Sequence, residues 1–579
     1  MPVINLDISD LQDLVGEGFS LERFRNEIPM IGACVEKEDG REIAVEFFPN
    51  RPDLYSVEGV ARAYRRFSGL DDNDLFTRMT PKGSSGIRLT VDPALETVRP
   101  VMGCAFVRGV TVDERALVSI MNLQEKLHLT TGRNRRKVAI GIHDAAPLEP
   151  PFRFWAALPD EVSFVPLQKS GEWSLARILK EHEKGKDFAW VLEGMNRYPV
   201  ITDSKGQVLS FPPVINGELT RVTEATKDIF VDCTGWDLKA VSIAVNIVCS
   251  QLSDRGGTIE TVDVEFPELP GFQRLGLRSG TWPEYSWGSF ELDLGWCRSW
   301  LGKDLTGKEV VEALHRMGYE GVKAAKGSIK GKVPPWRGDI LHQADIAEDV
   351  AIGHGFLNFN GSLSKRYTTA SEKEGASMSR LVKDVLVGLS FLEVRTIALS
   401  NETVQFGLLG RKEMDHIRIV NPISTEHTMV RPSAIPTLLQ LLRTNKHRDL
   451  PQRIFEVADG MVRNENVTLL TALSENPKAS FSEMKGIVQR LMSDLNIPYV
   501  LGINNLNMYI RGRGAALYTS CDVLNGNAYQ GPFPELYEGH DVPIGHFGEL
   551  HPRVLSEMEV PAPVSAMEMD LSLMSKLKQ

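Results

Sequence analysis

The sequence has no C-x-x-C pair; its six cysteines (Cys34, Cys104, Cys233, Cys249, Cys297 and Cys521) are scattered. That excludes a disulfide framework and a zinc finger. It has no apolar run of about 18 residues and no charged-apolar-small leader pattern, so neither a membrane span nor a secretory signal is expected, and the location expected is cytoplasmic. A P-loop is missing too: the nearest string, "GSIKGKV", has only three residues between its glycines and ends in Val rather than Ser or Thr. No H-E-x-x-H and no G-x-S-x-G occur, which leaves zinc and serine hydrolysis without motif support. Positive charge is in deficit, with Lys+Arg 65 against Asp+Glu 76 and a net charge of −11. Such a chain does not bind nucleic acid over its whole surface, although a local basic patch can.

What is present is ordinary globular composition, 42% hydrophobic and 24% charged over 579 residues, enough for about four domains. Three polar or Gly/Pro-rich stretches, near 69–86, 266–289 and 360–379, read as boundaries. The expected modules are 1–85 (α+β), 86–275, 276–362 and 363–579. Strands are expected at 138–142 and in "IRIVNP", "RIFEVADGMV" and "ALYTSCDVL". Helices are expected in "DLKAVSIAVNIVCSQLSDRG", "GKEVVEALHRMGYE" and "SRLVKDVLVGLSF".

The stretch "VPPWRGDILHQADIAEDVAIGHGF" (333–356) gathers four carboxylates, Asp339, Asp345, Glu348 and Asp349, beside a helical apolar stripe of Ile346, Ala347, Val350 and Ala351. Asp345, Glu348 and Asp349 stand at i, i+3 and i+4 and share one face. Two explanations are open: a hard divalent cation, since Mg²⁺ is held by one or two carboxylates plus waters, or a solvated acidic face near a helix N-terminus. The frame recurs earlier. Pro49-Asn50-Arg51-Pro52-Asp53-Leu54 and Pro335-Trp336-Arg337-Gly338-Asp339-Ile340 both read P-x-R-x-D-apolar before a helical pattern. The shared Arg and Asp are expected to order a loop in two related modules. The first copy has Gly59, Arg62 and Ala63 where the second has Asp345, Glu348 and Asp349, so the helical carboxylates are not required by that frame. Arg337-Gly338-Asp339 as an adhesion tripeptide is rejected for a chain without secretory features.

Two further stretches stay open between function and scaffold. "GRNRRKVAIGIHD" places Arg133, Arg135, Arg136 and Lys137 ahead of an apolar strand ending in His143 and Asp144; it can grip phosphates or form a solvated edge. "SFPPVINGELTRVTEATKDIFVDCTG" (210–235) sets Ser, Asn, Glu, Asp and Thr between apolar positions, suited to lining a polar pocket or to a pair of capped turns.

Together with "PNRPDLYSVEGVARA" (49–63), "LPDEVSFVPL" (158–167), "VNPISTEHTMVRPSAIPTLLQLLRTN" (420–445) and "GHFGELHPRVLSEMEVPAPVSAMEMDL" (545–571), the segments 210–235 and 334–356 resemble, in order, the β subunit of phenylalanyl-tRNA synthetase in its shorter archaeal and eukaryotic form. The resemblance implies an α+β multidomain chain: small mixed modules, an editing domain, a winged-helix-like module and a class II synthetase-like antiparallel sheet without catalytic residues. In that sheet Arg431 and Glu456 are expected to be structural or interfacial, because no glycine-rich strand leading to an ATP-binding Arg is evident. The implied partners are the α subunit, in an (αβ)₂ heterotetramer that uses ATP, and tRNA(Phe). Asp339, Asp345, Glu348 and Asp349 match the family's Mg²⁺ pattern, shared with the α subunit. Position 349 carries Asp where bacterial members usually carry Glu, which puts its direct ligation in doubt. The resemblance places Ser210, Asn216, Glu218, Asp232 and Thr234 at an editing pocket against Tyr-tRNA(Phe), with His143 a further candidate and Glu218 or Asp232 reading the tyrosyl hydroxyl. The anticodon-binding domain of bacterial members is not evident, so anticodon recognition is expected on the α subunit.

Overall fold

The computed structural model describes residues 2–70, 75–363, 367–373, 375–524 and 527–577. The chain forms two compact units, Met1–Leu363 and Ser364–Gln579.

The first unit opens with an antiparallel sheet, Val3–Asp7, Glu42–Phe47 and Ala33–Glu38, with Glu42–Phe47 in the centre. Its period-two alternation buries Ile43, Val45 and Phe47, as a half-covered strand requires. The first P-x-R-x-D loop follows, and Ser56 caps the helix Val57–Ser68 by accepting from the Gly59 N–H. That helix ends at Gly69 in the left-handed region, φ 75°.

A ten-stranded mixed sheet makes the middle of the unit. Its order is Ile215–Asn216, Val208–Phe211, Tyr198–Thr202, Phe152–Ala157, Ser84–Val91, Thr258–Glu265, Val101–Arg108, Ile229–Gly235 and Val138–Asp144, with Gly280–Trp282 paired beside Thr258–Glu265. Ile229–Gly235 is buried along its whole length, Asp232 and Thr234 included, because it lies between two antiparallel neighbours and under the helix that follows it. The long helix Leu238–Asp254 packs against these strands, capped by Asp237.

The last module of this unit is a three-stranded sheet, Gly288–Asp293, Ser328–Val333 and Glu320–Ala325, with helices Leu294–Leu301, Gly307–Arg316 and Gln343–His354. Helix Gln343–His354 buries the expected stripe Ile346, Ala347, Val350 and Ala351. It crosses Gly307–Arg316 so closely that a Cβ at Gly353 would lie 2.1 Å from the Ala313 carbonyl oxygen.

The second unit is built on a seven-stranded sheet ordered Leu392–Glu393, Gln452–Val462, Glu465–Glu475, Val564–Asp570, Val542–Leu550, Tyr509–Thr519 and Val500–Ile503. All neighbours are antiparallel except the first pair. Phe481–Leu495 and Ala376–Gly388 pack with one part of its core, and Ile435–Thr444 with another. Arg431 and Glu456 form an ion pair at 3.0 Å, each 1% exposed in its side chain. Two strand expectations change here. "IRIVNP" makes only an isolated bridge, Arg418 to Met429; its neighbour, Met429–Val430, is two residues long, too short to extend the bridge into a ladder. "ALYTSCDVL" stays extended only to Thr519 and then turns into a short 3₁₀ segment, Cys521–Leu524.

Candidate functional site

The middle sheet of the first unit carries a cavity of about 520 Å³, lined on one wall by Ser210, Asn216 and Asp232 and on others by Gln124, Glu125, His128, Arg135, Gly141, Gln168, Lys169 and His182. Three of the six expected pocket residues therefore converge on one space. Ser210 sits on Val208–Phe211 and pairs across the sheet with Asn216; Asp232 lies on the buried strand Ile229–Gly235, 1% exposed.

The other three lie behind the wall. His143 is fully buried, with Nε2 2.7 Å from Asp232 Oδ2 and Nδ1 2.7 Å from Thr220 Oγ1. Thr234 is fully buried and accepts from Arg99 Nε at 2.8 Å. Glu218 accepts from the backbone N–H of Gln168 at 2.7 Å and from Arg221, so it pins the loop on which Gln168, at φ 63°, reaches the cavity.

Arg99 explains the local backbone. It is 1% exposed and pairs with no carboxylate among the described residues; it donates to Thr234 O at 2.7 Å and to Arg135 O at 3.1 Å. Burial pulls its pKa down to about 9 against the opposing field of Asp232, so it is still a cation at neutral pH. Its hydrogen bonds secure a turn in which Arg133, Asn134 and Arg135 are all left-handed, at φ 48°, 53° and 67°. The basic run thus divides. Arg135 turns inward, donating to Val214 O at 2.9 Å and to Glu125 at 2.6 Å, with its guanidinium 4.1 Å from the Phe188 ring centroid. Arg133 and Arg136 remain exposed. The His128 ring, its Nδ1 3.6 Å from Oε1, and then the charge of Arg135 hold the Glu125 carboxyl down to about 2 despite its partial burial.

Sequence reasoning missed Thr220 and Gly141. Thr220 lay inside a segment already singled out, and its partner is 77 residues away. Gly141 had a visible signal, a glycine inside an apolar strand, which marks close approach. A Cβ there would lie 2.0 Å from Asp232 Oδ2 and 2.6 Å from His143 Nε2.

The acidic helix lines a second cleft of about 290 Å³ in the same unit, together with Asn50 and Arg51. Both P-x-R-x-D loops close on themselves. Arg51 grips Asp53 with two bonds of 2.8 Å, and Arg337 grips Asp339 at 2.8 and 2.7 Å. The two loops share the wall of this cleft. Arg337 also binds Asp349 Oδ2 at 2.8 Å, and that oxygen accepts from Tyr319 Oη at 2.7 Å. Burial pushes the Asp349 carboxyl up, with Arg337 and Arg51 pulling it back. Asp345 takes the backbone N–H groups of Leu341 and His342, both at 2.7 Å, reciprocally with His342 as a capping box. Glu348 alone of the four carboxylates makes no hydrogen bond or ion pair among the described residues. Burial first, and then Asp349, Asp345 and Asp339, raise its pKa. Among the described residues no group of three or more His, Cys, Asp or Glu side chains is arranged to hold a metal. The donors are all oxygen, and an orphan carboxylate beside a half-used one suits the one-or-two-carboxylate mode of Mg²⁺.

A mixed sheet bearing a polar-walled cavity, an acidic-helix module and a seven-stranded antiparallel sheet are together the parts of an aminoacyl-tRNA synthetase subunit, and the family models agree. Residues 111–258 match the B3/4 domain, 290–356 the tRNA synthetase B5 domain, and 362–571 the phenylalanyl tRNA synthetase beta chain CLM domain. The phenylalanine–tRNA ligase beta subunit of Archaeoglobus fulgidus is 39% identical over 99% of this chain and 98% of its own length. That of Methanosphaera stadtmanae is 36% identical over 99% and 100%. An N-terminal fragment of the phenylalanyl-tRNA synthetase β subunit from Pyrococcus horikoshii, solved by crystallography, superposes with a TM-score of 0.56 at 36% identity, covering 61% of this chain and 99% of the fragment. The chain belongs to the phenylalanine–tRNA ligase β-subunit family.

Proposed function

We propose that this chain pairs with an α subunit in a cytoplasmic (αβ)₂ heterotetramer that charges tRNA(Phe) with phenylalanine at the expense of ATP, the synthetic site lying on the α subunit, and that its own cavity hydrolyses mischarged Tyr-tRNA(Phe). The observation that carries the editing reading is Asp232, a nearly fully buried carboxylate on the cavity wall beside Ser210 and Asn216.

The physical need is plain. A hydrophobic pocket rejects an added hydroxyl by only about 10²-fold, whereas translation needs roughly 10⁴ to 10⁵. A second site must then prefer the hydroxyl, through buried polar groups that phenylalanine would leave unpaired. Asp232 accepts the tyrosyl O–H, and Ser210 and Asn216 complete the polar wall. Glu218, spent on the Gln168 loop, is placed to shape the cavity rather than to read the ligand. Thr234 acts through Arg99. With no nucleophile motif in the sequence, ester hydrolysis uses a positioned water and the terminal ribose hydroxyl of the tRNA itself.

Mg²⁺ is proposed at the acidic cleft, held by Glu348 and the free oxygen of Asp345, while Asp339 and Asp349 stay with Arg337. When bound it would neutralise the cleft and present a charged face to the α subunit.

The test is deacylation of Tyr-tRNA(Phe) by the assembled complex. Asp232→Ala and Ser210→Ala should abolish or strongly reduce it with charging intact. A wild-type complex that charges tRNA but leaves Tyr-tRNA(Phe) intact would favour the alternative, a non-editing scaffold for the α subunit, for which the missing nucleophile motif speaks.

A further inference from the structure

We propose that Thr220 and His143 are positioning residues that hold Asp232 with one carboxylate oxygen spent inside the protein and the other presented to the cavity, so that the site reads a ligand hydroxyl as a hydrogen-bond donor. The inference rests on the editing reading of that cavity.

Three side chains stand in line: Thr220 Oγ1 to His143 Nδ1 at 2.7 Å, and His143 Nε2 to Asp232 Oδ2 at 2.7 Å. The order Thr–His–Asp and both distances are those of a nucleophile triad, but the orientation is inverted. Thr220 is 1% exposed and lies away from the cavity wall, whereas Asp232 lines it. No substrate carbonyl can reach the hydroxyl, so the line conveys orientation toward the cavity instead of activating a nucleophile.

The proton count fixes the direction. Asp232 as a carboxylate can only accept, so Nε2 must carry a hydrogen toward Oδ2. An imidazole with one N–H then has its lone pair on Nδ1, and Thr220 supplies the donor. Thr220 Oγ1 also lies 3.3 Å from Gly217 O; the 2.7 Å contact to the ring is the shorter and takes the hydroxyl proton. Asp232 selects this tautomer, and Thr220 fixes the ring from its other end; without the hydroxyl, Nδ1 would be a buried acceptor left unpaired and the ring would be held at one nitrogen only. Gly141 closes the arrangement from the side, since any Cβ there would fall within 2.0 Å of Asp232 Oδ2. The consequence is selectivity by donor: a tyrosyl hydroxyl can give a hydrogen to Asp232, and phenylalanine cannot.

The experiment compares kcat/KM for Tyr-tRNA(Phe) deacylation by the chain assembled with its α subunit, as wild type and as Thr220→Ser, Thr220→Val, Thr220→Ala and Asp232→Asn, with assembly checked by co-elution. Thr220→Ser keeps the hydroxyl and should stay within about threefold of wild type; Thr220→Val should fall about tenfold, the size of one lost neutral hydrogen bond. Thr220→Ala gives the same reading if the valine variant does not assemble. Valine and alanine variants at wild-type rates beside an inactive Asp232→Asn would overturn the relay and leave the editing reading standing. A serine variant as slow as the valine one would also overturn it, because the hydroxyl would then not be what matters. An inactive wild type would remove the reading on which the relay rests.

Discussion

Replacing Arg337 by Met removes the cation that hydrogen-bonds both Asp339 and Asp349. Its side chain is 2% exposed, that of Asp349 is 4% and that of Asp339 is 12%. Burial opposes the guanidinium charge, yet Asp349 and Asp339 raise its pKa well above the usual value, so the cluster is stable only as a set. Breaking a buried pair from one side costs about 3–5 kcal/mol, because the remaining charge is orphaned. Here Tyr319 still donates to Asp349, which places Arg337→Met near the lower end, about 3 kcal/mol. Asp349→Asn should cost only about 1–2 kcal/mol, since an amide oxygen can still accept from Arg337 and Tyr319. The double variant should then be less damaging than the sum, with a coupling of about 1–3 kcal/mol. Urea unfolding followed by tryptophan fluorescence measures all three. A loss below about 1 kcal/mol for Arg337→Met, or strict additivity, would refute the claim that Arg337 is the resident cation of the acidic helix.

Three further perturbations have defined outcomes. Gly141→Ala forces Asp232 or His143 to move and should cost about 1–3 kcal/mol in thermal unfolding; a neutral result would mean that the pair is not held as described. Asp570 is buried, and burial lifts its carboxyl to about 6 against roughly 3.9 in an unfolded chain. A raised carboxyl contributes stability that is present below about pH 4 and lost as the pH rises through 6, about 3 kcal/mol in all. Asp570→Asn keeps the acceptor for the Leu573 N–H and should be more stable than wild type at pH 7.5, the gap closing at pH 4; denaturant midpoints at the two pH values decide it. Glu348→Gln should abolish any Mg²⁺-induced rise in melting temperature, and an unchanged rise in the variant would move the cation elsewhere.

Local rules carried far in this chain. The repeated P-x-R-x-D string foretold two Arg–Asp clasps because both partners lie two residues apart. The stripe 346, 347, 350 and 351 buried as its period required. What was not legible depended on partners distant in sequence. Asp349 read as one of three carboxylates sharing a helix face, whether for a cation or for solvent, yet Arg337 and Tyr319, 12 and 30 residues away, draw it inside. Thr234 looked like a pocket residue until Arg99, 135 residues earlier, claimed its hydroxyl. "IRIVNP" has strand composition, but composition cannot set the length of the neighbour it pairs with, here the two residues Met429–Val430. The cavity itself was visible only as a run of polar residues; which of them face inward follows from the alternation of strands that the segment alone does not define.

In the proposed division of labour this chain is one half of a ligase, its cavity edits and its seven-stranded sheet takes no part in synthesis. Phenylalanine-dependent charging of tRNA(Phe), measured on the purified chain alone and on the chain co-expressed with the α subunit of the same genome, tests it most directly. No charging by the chain alone and full activity in the mixture are expected; charging by the isolated chain, or none by a mixture whose α subunit is properly folded, would contradict that division.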